Sequence, residues 1–142
     1  MDNTDKDILR ILQKNSKATL KEMGEMVNLT SPAVMDRIRK MEDNGVIAGY
    51  FTKIDSSKLG MTMEAFISVD VNQKKYDAFC KFCNDSKNII SHHHIIGPYN
   101  AMLQVIIIDS NELSKLLNSL NFFGATQTSV ILDTHFSNLV LK

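Results

Sequence analysis

Three groups of side chains in this 142-residue chain have the types and spacing that chemistry uses. Cys80-Lys81-Phe82-Cys83 is a Cys-x-x-Cys pair, the spacing of a redox dithiol or of half a metal site. His92-His93-His94 offers imidazoles that can bind metal or titrate near neutrality. Arg37, Arg39 and Lys40 gather three cations within one helical turn, a cluster suited to phosphate. The chain has no Gly-x-Ser-x-Gly, P-loop or dinucleotide fingerprint, and its carboxylates are scattered. No enzyme and no cofactor is therefore expected.

The elements that carry these residues decide between their uses. Tyr76, Phe79, Cys80 and Cys83 share one face of a predicted helix, which points to apolar packing. A redox pair belongs at a helix N-terminus just after a strand, where its thiolate is stabilised. The histidines fall in a predicted strand, Ile89 to Ile96, so His92 and His94 face one way and His93 the other. Two imidazoles need a third ligand to hold zinc. His135, on the predicted fourth strand, lies at the opposite sheet edge. No metal site is expected within one subunit; a site across a dimer interface stays open beside a polar interface patch that responds to pH.

The cations belong to a stretch that reads as a helix-turn-helix, Leu20 to Ile47. A first helix, Asp5 to Lys14, carries Ile8, Ile11 and Leu12 on one face, with Thr4 or Asp5 as its cap. Leu20, Met23 and Val27 repeat the pattern for a second helix ended by Asn28. A third is capped by Thr30, or by Ser31 with Pro32 as the first helical residue, and stops at a left-handed Gly45. Its core face is Val34, Ile38 and Met41. At 100° per residue this turns Pro32, Asp36, Arg39 and Lys40 outward and leaves Met35 and Arg37 on the flanks. Thr30, Ser31, Pro32, Met35, Asp36, Arg37, Arg39 and Lys40 are thus the candidate DNA-reading residues, with Arg37 placed for the backbone. Asp36 is the uncomfortable member, because a carboxylate is repelled by DNA unless a cytosine amino group donates to it. Val46 to Ile54 suits a strand or wing leaving this unit.

The second half changes character. Predicted strands at Glu64–Val71, Ile89–Ile96, Ala101–Ile108 and Thr128–Phe136 alternate with a helix over Tyr76–Cys83 and another bearing Leu113, Leu116, Leu117 and Leu120, capped by Ser110 or Asn111. Gly97-Pro98-Tyr99-Asn100 is the hairpin turn. The order βαββαβ is that of a ferredoxin-like domain. Its helices cover one sheet face, and strands such as Ala101–Ile108 are apolar on both, so the bare face is expected to bury against a second subunit. The fold class is α+β: a (winged) helix-turn-helix domain at 1–50, a linker at 51–62 and a ferredoxin-like domain at 63–142.

Charge constrains how such a chain meets nucleic acid. Sixteen Lys+Arg balance sixteen Asp+Glu, so any DNA binding rests on locally placed charge rather than on a basic protein as a whole. No apolar run approaches a membrane span and the opening residues are too acidic for a signal peptide, which predicts a cytoplasmic protein without membrane contact.

The chain resembles the Lrp/AsnC family of transcription regulators along nearly its whole length. The family's opening, an Asp, two residues and a second Asp before an aliphatic run, resembles Asp5, Ile8, Leu9 and Leu12 at a shifted spacing. Its helix-turn-helix pattern resembles Leu29-Thr30, Val34, Arg37-Ile38, Met41-Glu42 and Gly45-Val46-Ile47. Asp55 with Leu59-Gly60, and Thr126 with Thr128, resemble the family's linker and final strand. The resemblance implies a sequence-specific regulator of double-stranded DNA acting in the cytoplasm on the nucleoid. It further implies dimers, often octamers, and an amino acid or other small molecule as effector. It places the effector at the hairpin, at Gly97, Tyr99 and Asn100, with Thr126 and Thr128 nearby. Where the family shows Asp, this chain has Asn100, which hydrogen-bonds but carries no charge for a ligand ammonium. Weak amino-acid sensing, a different effector, or none is the expectation. The alternative is a nucleoid-associated architectural protein that bends or wraps DNA with little sequence preference.

Overall fold

The computed structural model describes residues 1–135, which divide into two compact units, Met1–Lys53 and Ile54–His135. The first holds three helices: α1 (Asn3–Lys14), α2 (Leu20–Val27) and α3 (Ser31–Asp43). Each starts and stops for a local reason. Asp2, not Thr4 or Asp5, caps α1, and it does so reciprocally: Asp5 N donates to Asp2 Oδ1 and Asp2 N to Asp5 Oδ2, both at 2.8 Å. Thr19 and Glu22 form the same box on α2. The turn between α2 and α3 needs Asn28 in the left-handed region at φ 55. It also needs Gly24, because a Cβ there would run into the Leu29 carbonyl. Of the two caps weighed for α3, Thr30 is the one adopted, with Pro32 in the first turn. Gly45, at φ 69, ends α3 as expected: its N–H donates to Glu42 at 2.9 Å and that of Val46 to Met41 at 2.8 Å. Ile8, Met23, Val34 and Met41 make the core of this unit.

Residues 46–54 form no strand. Their composition favours one, but a strand needs a neighbouring strand's N–H and C=O groups, and among the described residues no strand pairs with this segment; the Val46 and Ile47 N–H groups donate to the Met41 carbonyl. The Tyr50 hydroxyl instead donates back to Glu42 at 2.8 Å, and Phe51 stands 86% exposed.

The second unit runs β1 (Met63–Val71), α4 (Tyr76–Asp85), β2 (Ile89–His94), β3 (Ala101–Ile107), α5 (Ser110–Asn121) and β4 (Gly124–Ile131). The sheet order is β2-β3-β1-β4, every pair antiparallel. This is the expected βαββαβ order. Helix α5 is capped by Asp109, which accepts from Glu112 N at 2.9 Å, rather than by Ser110 or Asn111. Ala65, Ile67, Val69 and Val71 of β1 and Ala101, Leu103 and Val105 of β3 face the helices, packing on Phe79, Cys83, Leu116 and Leu120. The other face carries Phe66, Met102, Ile106 and Ile131 among Ser68, Gln104, Gln127 and Ser129, so it is mixed rather than apolar.

Two strands differ from expectation. β4 begins four residues early and stops at Ile131, not at Phe136, which lies outside the described residues. Asn72 N donates to the Phe123 carbonyl at 3.0 Å, and buried Phe123 pins the return, so pairing starts at Gly124 opposite Val71. Ile131 pairs with Glu64 at the far end of β1, where the ladder runs out. His135 is therefore off the sheet and exposed. β2 stops at His94 because its partner β3 begins at Ala101; Ile96 is fully exposed.

Candidate nucleic-acid interface and effector region

The outward surface of α3 follows from its inward one. With Val34 and Met41 buried and Ile38 half-buried, Thr30, Pro32, Met35, Asp36, Arg39 and Lys40 are exposed and Ser31 and Arg37 partly so. The Thr30 side chain makes no capping bond, so its hydroxyl is not committed to the helix it starts. Asp36 is matched one turn on by Lys40, whose Nζ lies 2.8 Å from its Oδ2. That contact above all holds the Asp36 carboxyl below its ordinary range, so the group is ionised at neutral pH. Lys40 thus cancels the one anion among the candidate reading residues and can leave it for a phosphate, since an exposed pair of this kind is weak. Arg39 forms no ion pair among the described residues.

Arg37 is placed differently from its neighbours. Its Nη1 lies 2.7 Å from Asp2 Oδ2 and 2.7 Å from Asp5 Oδ1, so the guanidinium faces the start of α1. Asp2 was not singled out in the sequence. The signal was present: Asp2 and Asp5 have the spacing of a reciprocal cap, and also that of the two acids that open the family pattern.

The hairpin residues have a structural task of their own. Asn100 turns its side-chain amide onto the backbone of Val71: Val71 N donates to Oδ1 and Nδ2 donates to the Val71 carbonyl, both at 2.8 Å. The amide thereby extends the β1–β3 ladder one step beyond the Val69–Ala101 pair. Ile95 N donates to the Asn100 carbonyl at 3.0 Å and closes the loop, leaving Gly97 exposed and Tyr99 half-buried. Thr126 and Thr128 lie on β4, across β1 from Asn100, with the Thr126 hydroxyl 3.3 Å from Asn121 Oδ1. Within one subunit the five effector candidates therefore form two groups, one on each side of β1.

The cysteines lie on α4 and the histidines on β2, and the two elements pack through aromatic rings. His92 and His94 pair with Leu103 and Ala101 on the helix-covered face, and His93 with Met102 on the other. Tyr76 lies 6.2 Å from His92 and 5.2 Å from His94, and Phe79 meets His92 edge-on at 5.1 Å, ring to ring. Burial, then Cys80, pushes the Cys83 thiol up to about 12, where it forms no thiolate. The pair sits inside α4, not at its start. Among the described residues no three His, Cys, Asp or Glu side chains converge as a ligand set.

Residues 1–48 match the winged helix-turn-helix DNA-binding family, and residues 64–141 match the Lrp/AsnC ligand binding domain. The HTH-type transcriptional regulator LrpB of Bacillus subtilis is 35% identical over 89% of this chain and 85% of its own length. The chain belongs to the Lrp/AsnC family. LrpA of Bacillus subtilis is 32% identical over 93% of this chain and 98% of its own. Among solved structures, LrpC of Bacillus subtilis superposes with a TM-score of 0.92 at 25% identity, covering 97% of this chain and 99% of that one. NMB0573 of Neisseria meningitidis, solved with L-methionine, gives 0.91 at 22% identity over 100% and 96%, and shares the fold. This Lrp/AsnC chain is a DNA-binding transcriptional regulator that joins a helix-turn-helix unit to a ligand-binding domain.

Proposed function

We propose that residues 1–50 read DNA through the exposed surface of α3, that residues 63–142 assemble the protein and sense an effector, and that residues 51–62 link them. The observation that carries this reading is the capped, three-helix packing that turns Thr30, Ser31, Pro32, Met35, Asp36, Arg39 and Lys40 to one exposed side. Helix α3 enters the major groove. Arg39 and Lys40 meet phosphates or base edges, and Thr30 and Ser31 hydrogen-bond at the N-terminal end. Arg37 belongs to this surface as the residue that fixes its flank.

The protein acts as a homodimer, and as octamers built from dimers, in the cytoplasm on the nucleoid, without catalysing a reaction. Phe66, Met102, Ile106 and Ile131 on the uncovered sheet face supply the apolar part of a subunit contact. A two-fold pair of readers then spans half-sites about 34 Å apart. An amino acid or other small molecule binds at the hairpin loop, with Gly97 and Tyr99 nearest. Asn100 shapes that loop because its amide is already spent on Val71. Thr126 and Thr128 join the site from another subunit.

Selection of duplexes from a random-sequence pool by the purified protein, followed by footprinting with and without a mixture of amino acids, tests this. The expected result is an enriched two-fold motif with half-sites one helical turn apart, and a footprint that changes with one amino acid. Uniform protection without an enriched motif overturns sequence-specific reading in favour of an architectural role.

A further inference from the structure

Arg37 lies on the reading helix beside Asp36, yet its charge does not point the way its neighbours' do. The two carboxylates that hold it are divided with care between two tasks. Asp2 gives Oδ1 to the Asp5 N–H and Oδ2 to Arg37; Asp5 gives Oδ2 to the Asp2 N–H and Oδ1 to Arg37. Every carboxylate oxygen has a partner, and one guanidinium nitrogen bridges both acids. A cation beside the positive end of a helix is otherwise unfavourable. Asp2 and Asp5 reverse the sign at that point, so α3 is attracted to the start of α1 rather than repelled. The Asp5 side chain is 14% exposed and that of Arg37 32%, so the pair sits in the seam between the helices, not on the outer surface.

We propose that Arg37 is a positioning residue for DNA recognition: clamped by Asp2 and Asp5, it fixes the angle at which α3 is presented and takes no phosphate itself. The proposal rests on α3 being the DNA-reading helix. The clamp spans 32 and 35 residues of sequence and joins α3 directly to the first turn of α1. With its charge taken up by Asp2 and Asp5, Arg37 offers no free cation, and Arg39 and Lys40 are the cations left for contact.

Two variants of opposite charge change test it. Arg37→Ala removes one positive charge, and Asp2→Asn with Asp5→Asn removes two negative ones while keeping side chains that cap helices well. The probe is a duplex selected by the wild-type protein from a random-sequence pool, with affinity measured across salt concentrations. Positioning predicts that both variants weaken binding in the same direction, by about tenfold, that their combination is no worse than either, and that the salt slope is unchanged. A phosphate contact predicts opposite signs: Arg37→Ala flattens the slope by about 0.9, and the double Asn variant binds more tightly. That pattern, or unchanged affinity in both variants, overturns the proposal. Helicity and melting temperature confirm that the proteins compared are folded; the double Asn variant retains the caps if Arg37→Ala does not fold. Arg39→Ala with Lys40→Ala is the separate control: if it leaves binding intact, α3 itself is not the reader, and the failure lies with that reading.

Discussion

At the residue scale, Asn100 shows how a side chain in a ligand-binding position can be committed elsewhere. Its amide both donates to and accepts from Val71, a pairing that only an amide can make in full. Asn100→Ala leaves both backbone groups of buried Val71 unpaired and should cost about 1–3 kcal/mol. Asn100→Asp keeps the acceptor and loses the donor, so it should cost less while restoring a charge at the loop. Chemical denaturation of the three proteins orders them wild type, Asp, Ala if the pairing holds; equal midpoints contradict it. The sequence marked Asn100 as a departure from the family pattern but could not show its partner, which lies 29 residues away. Asp2 was legible in principle, since its partner Asp5 is local; its second partner, Arg37, was not.

At the element scale, α4 packs on β2 through a small aromatic cluster around His92. Burial lowers the His92 pKa from 6.5, with the charges of His93 and His94 adding to the effect. Tyr76 of α4 and His93 and His94 of β2 are the titratable groups that act on it among the described residues, and none is an acid that would hold the imidazolium. The His92 Nε2 and Tyr76 hydroxyl atoms are buried without hydrogen-bond partners among the described residues. A depressed folded-state value means that the unfolded chain binds the proton first, so stability falls as pH drops below 6.5 and levels off below the folded value. Thermal melts from pH 8 to 5 should show this decline in the wild type and a shallower one in His92→Phe. Identical pH profiles would refute it. Periodicity located nearly every helix and strand here, because amphipathic spacing is a local property. It misplaced β4 because the polar half, Gly124 to Gln127, is held by pairing with β1, and it gave residues 46–54 a strand for which the described residues supply no partner strand.

At the scale of the whole molecule, a chain with zero net charge reads DNA only if its few useful cations are placed and multiplied. Of the three cations on α3, Arg37 is held by Asp2 and Asp5, and Lys40 is shared with Asp36, which leaves Arg39 as the one without an ion pair among the described residues. Duplication in a dimer adds the contacts of two such surfaces. Fold and domain order were legible in the sequence because they follow from patterning; the division of labour among the three cations was not, because it depends on which helix lies beside α3. The division of labour on α3 is tested by the salt dependence of binding to a selected duplex for the wild type and for Arg39→Ala with Lys40→Ala. Each lost phosphate contact lowers the slope by about 0.9, so the variant should bind more weakly at every salt concentration and give a flatter line. The same affinity and the same slope in the variant would contradict it.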